Sequence, residues 1–463
     1  SARRELFDGA VGGAALAINS LDWDWKKHPV IRLDLNAGDY RLGVSILDSM
    51  IKMYLDFAAE KYGVELTGDN NADRFSRLIK NLHDKFGERV VVIIDEYDKP
   101  LLETIDAPEK HRELRSALKS FYGVLKPADE HLRFVFITGV TKFAQVSIFS
   151  DLNHLKDLTL DPRYADLCGW TQEEVEANFA PEIDLCAAET DRATYLARLK
   201  NFYNGYRFSE KKLTVYNPFG LLLHFDSAGK FSSYWYNTGT PTFLLKLINE
   251  QKIDILKLEH WRVDESSFQK FDIANLNATV VLYQSGYLTI RDYDAAEAEF
   301  ILDYPNEEVR ASFADALIEG VLRVETNERR AFLSRFVRAI LHGEPTTAME
   351  LLPPFFASIP HEIIVKKEHY YQTVVHLIFT MLGFHCHSEV HQAIGSVDTL
   401  VETRDFVYCF EFKLNGTVAK ALAQIDEKEY LLPYRGSGRK LFKIGAVFKQ
   451  TKRNLGAWKV VEA

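Results

Sequence analysis

Three residues near the C-terminus could do chemistry together: Asp398, Glu411 and Lys413, within the stretch GSVDTLVETRDFVYCFEFKLNG (395–416). An acid is followed thirteen positions on by a second acid, and two residues later by an ammonium. Two carboxylates and waters make an oxygen site of the kind that Mg²⁺ or Mn²⁺ prefers. A lysine beside them can orient or activate a water, or stabilise negative charge developing on a phosphate. The chemistry such a set suits is metal-dependent hydrolysis of a phosphodiester.

The elements must bring these residues together. Apolar residues alternate with others through most of the stretch, which predicts two strands around a tight turn. Alternation puts Glu411 and Lys413 on one face, with Phe410 and Phe412 on the other. A turn centred on Arg404-Asp405 pairs Thr403 with Phe406 and, in the same register, Asp398 with Glu411, their Cβ atoms about 5 Å apart. Arg-Asp is not a favoured two-residue turn, so a four-residue loop over the same centre is expected. Directly opposed like charges are destabilising, and a cation is therefore expected between them, either Lys413 or a divalent metal. The plainer alternative is a surface hairpin whose lysine pairs with Glu411 or Asp398, an interaction worth little.

This segment resembles the PD-(D/E)XK nuclease superfamily, whose core runs helix, three-stranded meander, helix, strand. Residues 366–382 match the first helix, 418–432 the second and 443–448 the last strand. Val397-Asp398 stands in place of the Pro-Asp pair. The resemblance implies Asp398, Glu411, Lys413 and Gln424 as catalytic residues and Glu368, Asp398 and Glu411 as ligands of Mg²⁺ or Mn²⁺. Lys413 would position the water or stabilise the transition state, and Gln424 would orient the metal site or contact substrate. Gln424 and Tyr430 look like the Gln…Tyr motif of the branch related to recombination exonucleases. The alternative is a catalytically inactive nuclease fold that only grips nucleic acid, in a nucleotide-regulated binding or scaffold protein.

The front half carries a second set. RVVVIIDEYDKP (89–100) runs from apolar β-branched residues into Asp95-Glu96, and LRFVFITG ends near Thr138. This looks like a Walker B strand, with Thr138 where such proteins put a polar sensor residue; the bland reading is that strand ends are polar because they reach solvent. Together with FYNGYRF, VYNP, YWYNTGTPTFL and GYLTI, it resembles a prokaryotic family of AAA-ATPase-like proteins that typically carry a C-terminal PD-(D/E)XK domain. Ser150, Asn153 and Asp157 fall in a stretch that this family shares. The family's Walker A loop is missing: no GxxxxGK[ST] occurs, and Gly9, Gly12 and Gly13 are not followed by Lys-Ser or Lys-Thr. ATP binding then requires such a loop upstream of Ser1, and the absence of an initiating Met favours a trimmed start. On that footing the third reading is a nucleotide switch with the C-terminal domain as adaptor.

The implied fold class is α/β: a P-loop-ATPase-like parallel-sheet domain (1–165) lacking its Walker A segment, a mostly helical middle region (166–345) and a PD-(D/E)XK-like α/β domain (355–463). Apolar strands at 29–36, 89–95 and 132–143, with helices at 43–62 and 109–126 between them, carry the first part. Asn217 is the expected N-cap of a helix opening at Pro218. VLYQSGYLTIRDY (281–293) reads as strand, turn, strand. The run 343–360, with four prolines, reads as a junction.

A length of 463 residues, 47% hydrophobic, allows two or three domains. No apolar run reaches the length of a membrane span. The four cysteines show no metal or disulfide spacing, which fits a reducing cytoplasm. The net charge of −10 is unevenly spread: residues 361–463 sum to about +3, and from Arg435 to Lys459 eight basic residues run without an acid. That segment is the expected contact for a nucleic-acid backbone, DNA as the leading case; a solvated face is the bland reading. The aromatic-rich pieces are expected as core and turn residues, and His385, His387 and His391 as structural or substrate-facing.

Overall fold

Three apolar runs, two of them ending in acids, become parallel strands in the computed structural model. It describes residues 18, 21–141, 148–149, 152, 154–235, 242–251, 253, 255, 258–268, 278–320, 323–324, 326–359, 368–386, 390–392, 399–449, 451 and 454–463. The chain forms two units, one of residues 1–164, 173–180 and 264–285, the other of 165–172, 181–263 and 286–463.

In the first unit β1 (Val30–Asp34), β2 (Val90–Asp95) and β3 (Leu132–Ile137) form a sheet in the order β1-β2-β3, parallel throughout. Parallel neighbours need long crossovers, and helices α1 (Val44–Tyr62), α2 (Asn71–Phe86) and α3 (Pro108–Gly123) supply them. In α1, Leu47, Ile51 and Leu55 recur every fourth residue and are buried. Gly63, in the left-handed conformation, ends it. Asn70 caps α2 by accepting from the Asp73 amide at 3.0 Å. The helices bury Phe75, Leu78, Leu114 and Leu118 in one core with Leu33, Val92 and Ile94. β3 stops at Ile137, short of the expected Phe143, because Asp98 draws the backbone at Val140 and Thr141 into a loop.

The second unit contains α4 (Arg192–Tyr203) and α5 (Pro218–Asp226), the latter with Pro218 first and capped by Asn217, which accepts from the Gly220 amide at 3.0 Å. A sheet of β4 (Trp261–Asp264), β5 (Thr289–Asp294) and β6 (Glu299–Asp303) takes the order β4-β6-β5. Then come α6 (Glu307–Gly320), α7 (Thr326–Leu341), α8 (Pro345–Ser358) and α9 (Glu368–Cys386). Two expectations fail. The piece VLYQ is the end of a helix, Ala278–Gln284, not a strand; its apolar run is buried on all sides, and such a run carries no period that separates helix from strand. The proline-rich run, where breaks in the chain were expected, forms the helix α8, with Pro345 at its first turn and Pro353 and Pro354 inside it. A buried face of Ala348, Met349, Leu352, Phe355 and Phe356 outweighs the lost amide bonds.

The C-terminal sheet comprises β7 (Val390–Gln392), β8 (Thr399–Glu402), β9 (Phe406–Leu414), β10 (Lys440–Lys449) and β11 (Asn454–Glu462), in the order β11-β10-β9-β8-β7. β9 and β10 are parallel, and α10 (Val418–Glu427) crosses between them. On one face Phe410 and Phe412 stack with centroids 6.1 Å apart, against Phe379 of α9 and Phe448 of β10. On the other, Val407 and Cys409 pack with Ile425 of α10, Leu431 and Leu441. α10 ends at Glu427 rather than 432, since the chain reverses at Glu429, whose φ is 51°. β11 was not expected; it pairs antiparallel with β10. Among the described residues no helix is long and apolar enough to cross a membrane.

Candidate functional site

The hairpin has the register expected of it. Thr399, Leu400, Val401 and Glu402 pair with Phe410, Cys409, Tyr408 and Val407. Thr403 closes the turn, its amide donating to the Phe406 carbonyl at 2.8 Å. Thr399 with Phe410 is the last described pair, and Asp398 lies outside the described residues. Glu368 opens α9, and its side chain too lies outside them.

Glu411, Lys413 and Gln424 are brought together. Alternation along β9 turns Glu411 and Lys413 to the face that α10 covers. The Glu411 side chain is fully buried and that of Lys413 is 31% exposed, and the Lys413 Nζ stands 2.5 Å from Glu411 Oε1. The same ammonium donates to Gln424 Oε1 at 2.6 Å. Two details of sequence let α10 lie this close. Thr417 caps it, accepting from the Lys420 amide at 3.3 Å. Gly445, the β10 partner of Glu411, has no side chain: a Cβ there would stand 3.0 Å from the Val418 carbonyl oxygen and 2.9 Å from Leu422. A carboxylate removed from water needs a compensating positive charge, and the ammonium supplies it.

A hard divalent cation takes carboxylate oxygens, and Glu411 fits one position of such a ligand set. Among the described residues no group of three or more His, Cys, Asp or Glu could hold a metal ion; the other two expected ligands, Glu368 and Asp398, lie outside the described side chains.

The basic segment is partly spent within the fold. Arg439 pairs with Glu402 at 3.0 Å and Lys443 with Asp426 at 2.9 Å. Tyr434 also donates to Glu402, at 2.6 Å. Arg435, Lys440, Lys449 and Lys459 are exposed, and Lys452 and Arg453 lie outside the described residues. The acids that neutralise Arg439 and Lys443 come from earlier in the chain, where a count along the segment does not see them.

In the first unit Asp95 ends β2 and accepts from the Thr138 hydroxyl at 2.5 Å. Glu96 takes a left-handed backbone, φ 54°. Burial, with Asp98 and Asp95 nearby, holds its carboxyl above the usual range. The sequence reading missed Asp98. It is fully buried and accepts from the Thr141 amide at 2.6 Å, the Thr141 hydroxyl at 2.5 Å and the Val140 amide at 3.1 Å. Burial raises its carboxyl pKa, against the lowering effect of those bonds. Gly139 admits this clamp, since a Cβ there would meet Asp98 Oδ1 at 2.3 Å. Asp34, also missed, ends β1 opposite Asp95. The signal available for Asp34 was an acid at the end of an apolar run, the same that marks Asp95.

Of the family-shared stretch, Ser150 and Asn153 lie outside the described residues, and Asp157 accepts from the Thr159 amide at 3.0 Å. Phe202, Tyr203 and Tyr206 are buried core. Gly205 between them, φ 108°, lies against the Pro305 carbonyl, which a Cβ would meet at 1.9 Å. The side chains of His385, His387 and His391 lie outside the described set.

A family described as predicted AAA-ATPase matches residues 2–149, and the PD-(D/E)XK nuclease superfamily matches residues 366–458. An uncharacterised protein in the vnfD 5′ region of Azotobacter chroococcum mcd 1 is 36% identical over 443 residues, covering 94% of this chain and 83% of that protein. No solved structure matches the chain.

Proposed function

Because the chain belongs to the family of AAA-ATPase-like proteins with a C-terminal PD-(D/E)XK nuclease superfamily domain, we propose that it hydrolyses phosphodiester bonds in DNA with the help of a divalent metal, under the influence of its ATPase-like unit. The observation that carries this reading is the Lys413 ammonium held between the buried Glu411 and Gln424. A structural surface ion pair has no need of a buried carboxylate or a second anchor.

Asp398 and Glu411, with Glu368, would hold Mg²⁺ or Mn²⁺. When bound, the ion would polarise the phosphate and lower the pKa of an attacking water. Lys413 presents positive charge where a phosphate gains negative charge in the transition state. Gln424 fixes the direction of that ammonium. Arg435, Lys440, Lys449 and Lys459 attract the nucleic-acid backbone. In the first unit Asp95, Glu96 and Thr138 would serve a nucleotide if a phosphate-binding loop precedes Ser1. The cytoplasm is the proposed location.

The test is incubation with linear and circular, single- and double-stranded DNA in Mn²⁺ or Mg²⁺, beside Glu411→Ala. Cleavage by the unsubstituted protein alone supports the reading and its site, and the substrate pattern separates endo from exo action. Salt-dependent DNA binding without cleavage, with ATP present as well, would favour the inactive-fold alternative.

A further inference from the structure

We propose that the Lys413 ammonium is the resident counter-cation of Glu411, and that a divalent ion can load onto Glu411 only by driving this ammonium off, with Gln424 receiving it. The inference rests on the metal-dependent reading above and adds a control on metal loading.

Glu411 is fully buried, and the only charge compensation drawn from its own strand is Lys413, two residues on and 2.5 Å away. A dication bound to the same carboxylate would sit within a few ångströms of the ammonium, where two positive charges in a poorly solvated place repel strongly. One of the two must move.

The structure shows which one can. The Lys413 side chain is 31% exposed on a four-carbon stem with several rotatable bonds, whereas the buried Glu411 sits within β9 beneath α10. The ammonium already donates to Gln424 Oε1 at 2.6 Å. Swinging away from Glu411 therefore costs it one partner and keeps the other. Gln424 acts here through Lys413, as a positioning residue for the displaced charge. No bond is made or broken: one monovalent cation leaves the carboxylate and one divalent cation arrives.

A consequence for the substrate follows. The displaced ammonium is short of an anion, and a phosphate oxygen supplies one. Metal and phosphodiester should thus load cooperatively, each improving the site for the other. The site stays charge-balanced without metal and becomes competent when both arrive.

The experiment is calorimetric titration of the full chain with Mn²⁺ alone, for the unsubstituted protein, Lys413→Met, Gln424→Leu and the double variant. Lys413→Met should bind Mn²⁺ at least about tenfold more tightly, since the competing charge is gone. Gln424→Leu should bind a few-fold more weakly, and this effect should vanish in the Lys413→Met background, as expected of two residues acting through one contact. Equal or weaker Mn²⁺ binding by Lys413→Met overturns the proposal. So does a Gln424→Leu effect that persists undiminished in the double variant, which would place Gln424 on the metal itself. If circular dichroism shows Lys413→Met unfolded, the Gln424→Leu protein carries the test, and an unchanged Mn²⁺ affinity overturns the idea. The expected affinities without DNA cleavage by the unsubstituted protein would sink the nuclease reading and leave this one standing.

Discussion

A lysine that both neutralises a buried carboxylate and faces a phosphate has two jobs, and substitution separates them. Glu411→Ala, Lys413→Ala should abolish metal-dependent cleavage, a loss of at least about a hundredfold in rate, because the electrostatic stabilisation it removes is of that order. Undiminished cleavage by that double variant in a plasmid-nicking assay would remove these residues from the mechanism. His224 supplies a test of stability. It is fully buried, with Nε2 2.7 Å from the Tyr195 hydroxyl and Nδ1 3.1 Å from the Lys230 carbonyl oxygen. Burial pushes its pKa down to about 4 from 6.5. The unfolded chain therefore binds a proton that the folded chain refuses. The stabilisation is complete above pH 6.5 and is lost as the pH falls toward 4. The loss should be on the order of 3 kcal/mol at most. Denaturant melts across that interval should show a shallower pH slope in His224→Gln, and an unchanged slope would remove His224 as its source.

The elements place these residues through packing that a substitution can probe directly. Gly445→Val would push a side chain into the Val418 carbonyl and Leu422, costing roughly 1–3 kcal/mol as overpacked cores do. It should also separate Gln424 from Lys413. Thermal melts would show the loss of stability, and Mn²⁺ titration should show altered affinity even where the protein stays folded. Much of this level was legible in the sequence. The hairpin register followed from alternation and one turn, and the capped start of α5 followed from Asn217 and Pro218. The failures have physical causes. Buried on every side, VLYQ loses the polar contrast that would reveal its period. Pro353 and Pro354 signal a break, yet the Phe355–Phe356 face holds α8 together through them. β11 carries Lys459 and a glycine in a segment read only for its charge. Asp98 was passed over because its importance lies in where Val140 and Thr141 return, some forty residues later.

For the whole molecule, the net charge of −10 hides a local surplus of positive charge, and the fold decides how much of it is on offer. Arg439 and Lys443 already answer to Glu402 and Asp426. Replacing Arg435, Lys440, Lys449 and Lys459 together by Gln should weaken DNA binding and flatten its dependence on salt, each lost phosphate contact lowering the log–log slope by about 0.9. Arg439→Gln should change that slope little and cost stability instead. Fluorescence anisotropy over a series of salt concentrations would measure both, and an equal change in slope for Arg439→Gln would show that its pairing does not withhold it from DNA.

The parallel pairing of β9 with β10 joins Phe406 to Lys440 and runs on to Leu414 with Phe448, always thirty-four residues apart along the chain. Local turns form early in folding, while contacts of that span wait for a long loop to close. Glu411 and Lys413 lie on one side of this closure, and α10, which brings Gln424, packs on both β9 and β10, so its seat is complete only once the closure is made. A refolding chain would therefore recover most of its helix signal before it recovers the ability to bind Mn²⁺. The half-made protein would be inert toward nucleic acid during the interval when its chemistry is least controlled.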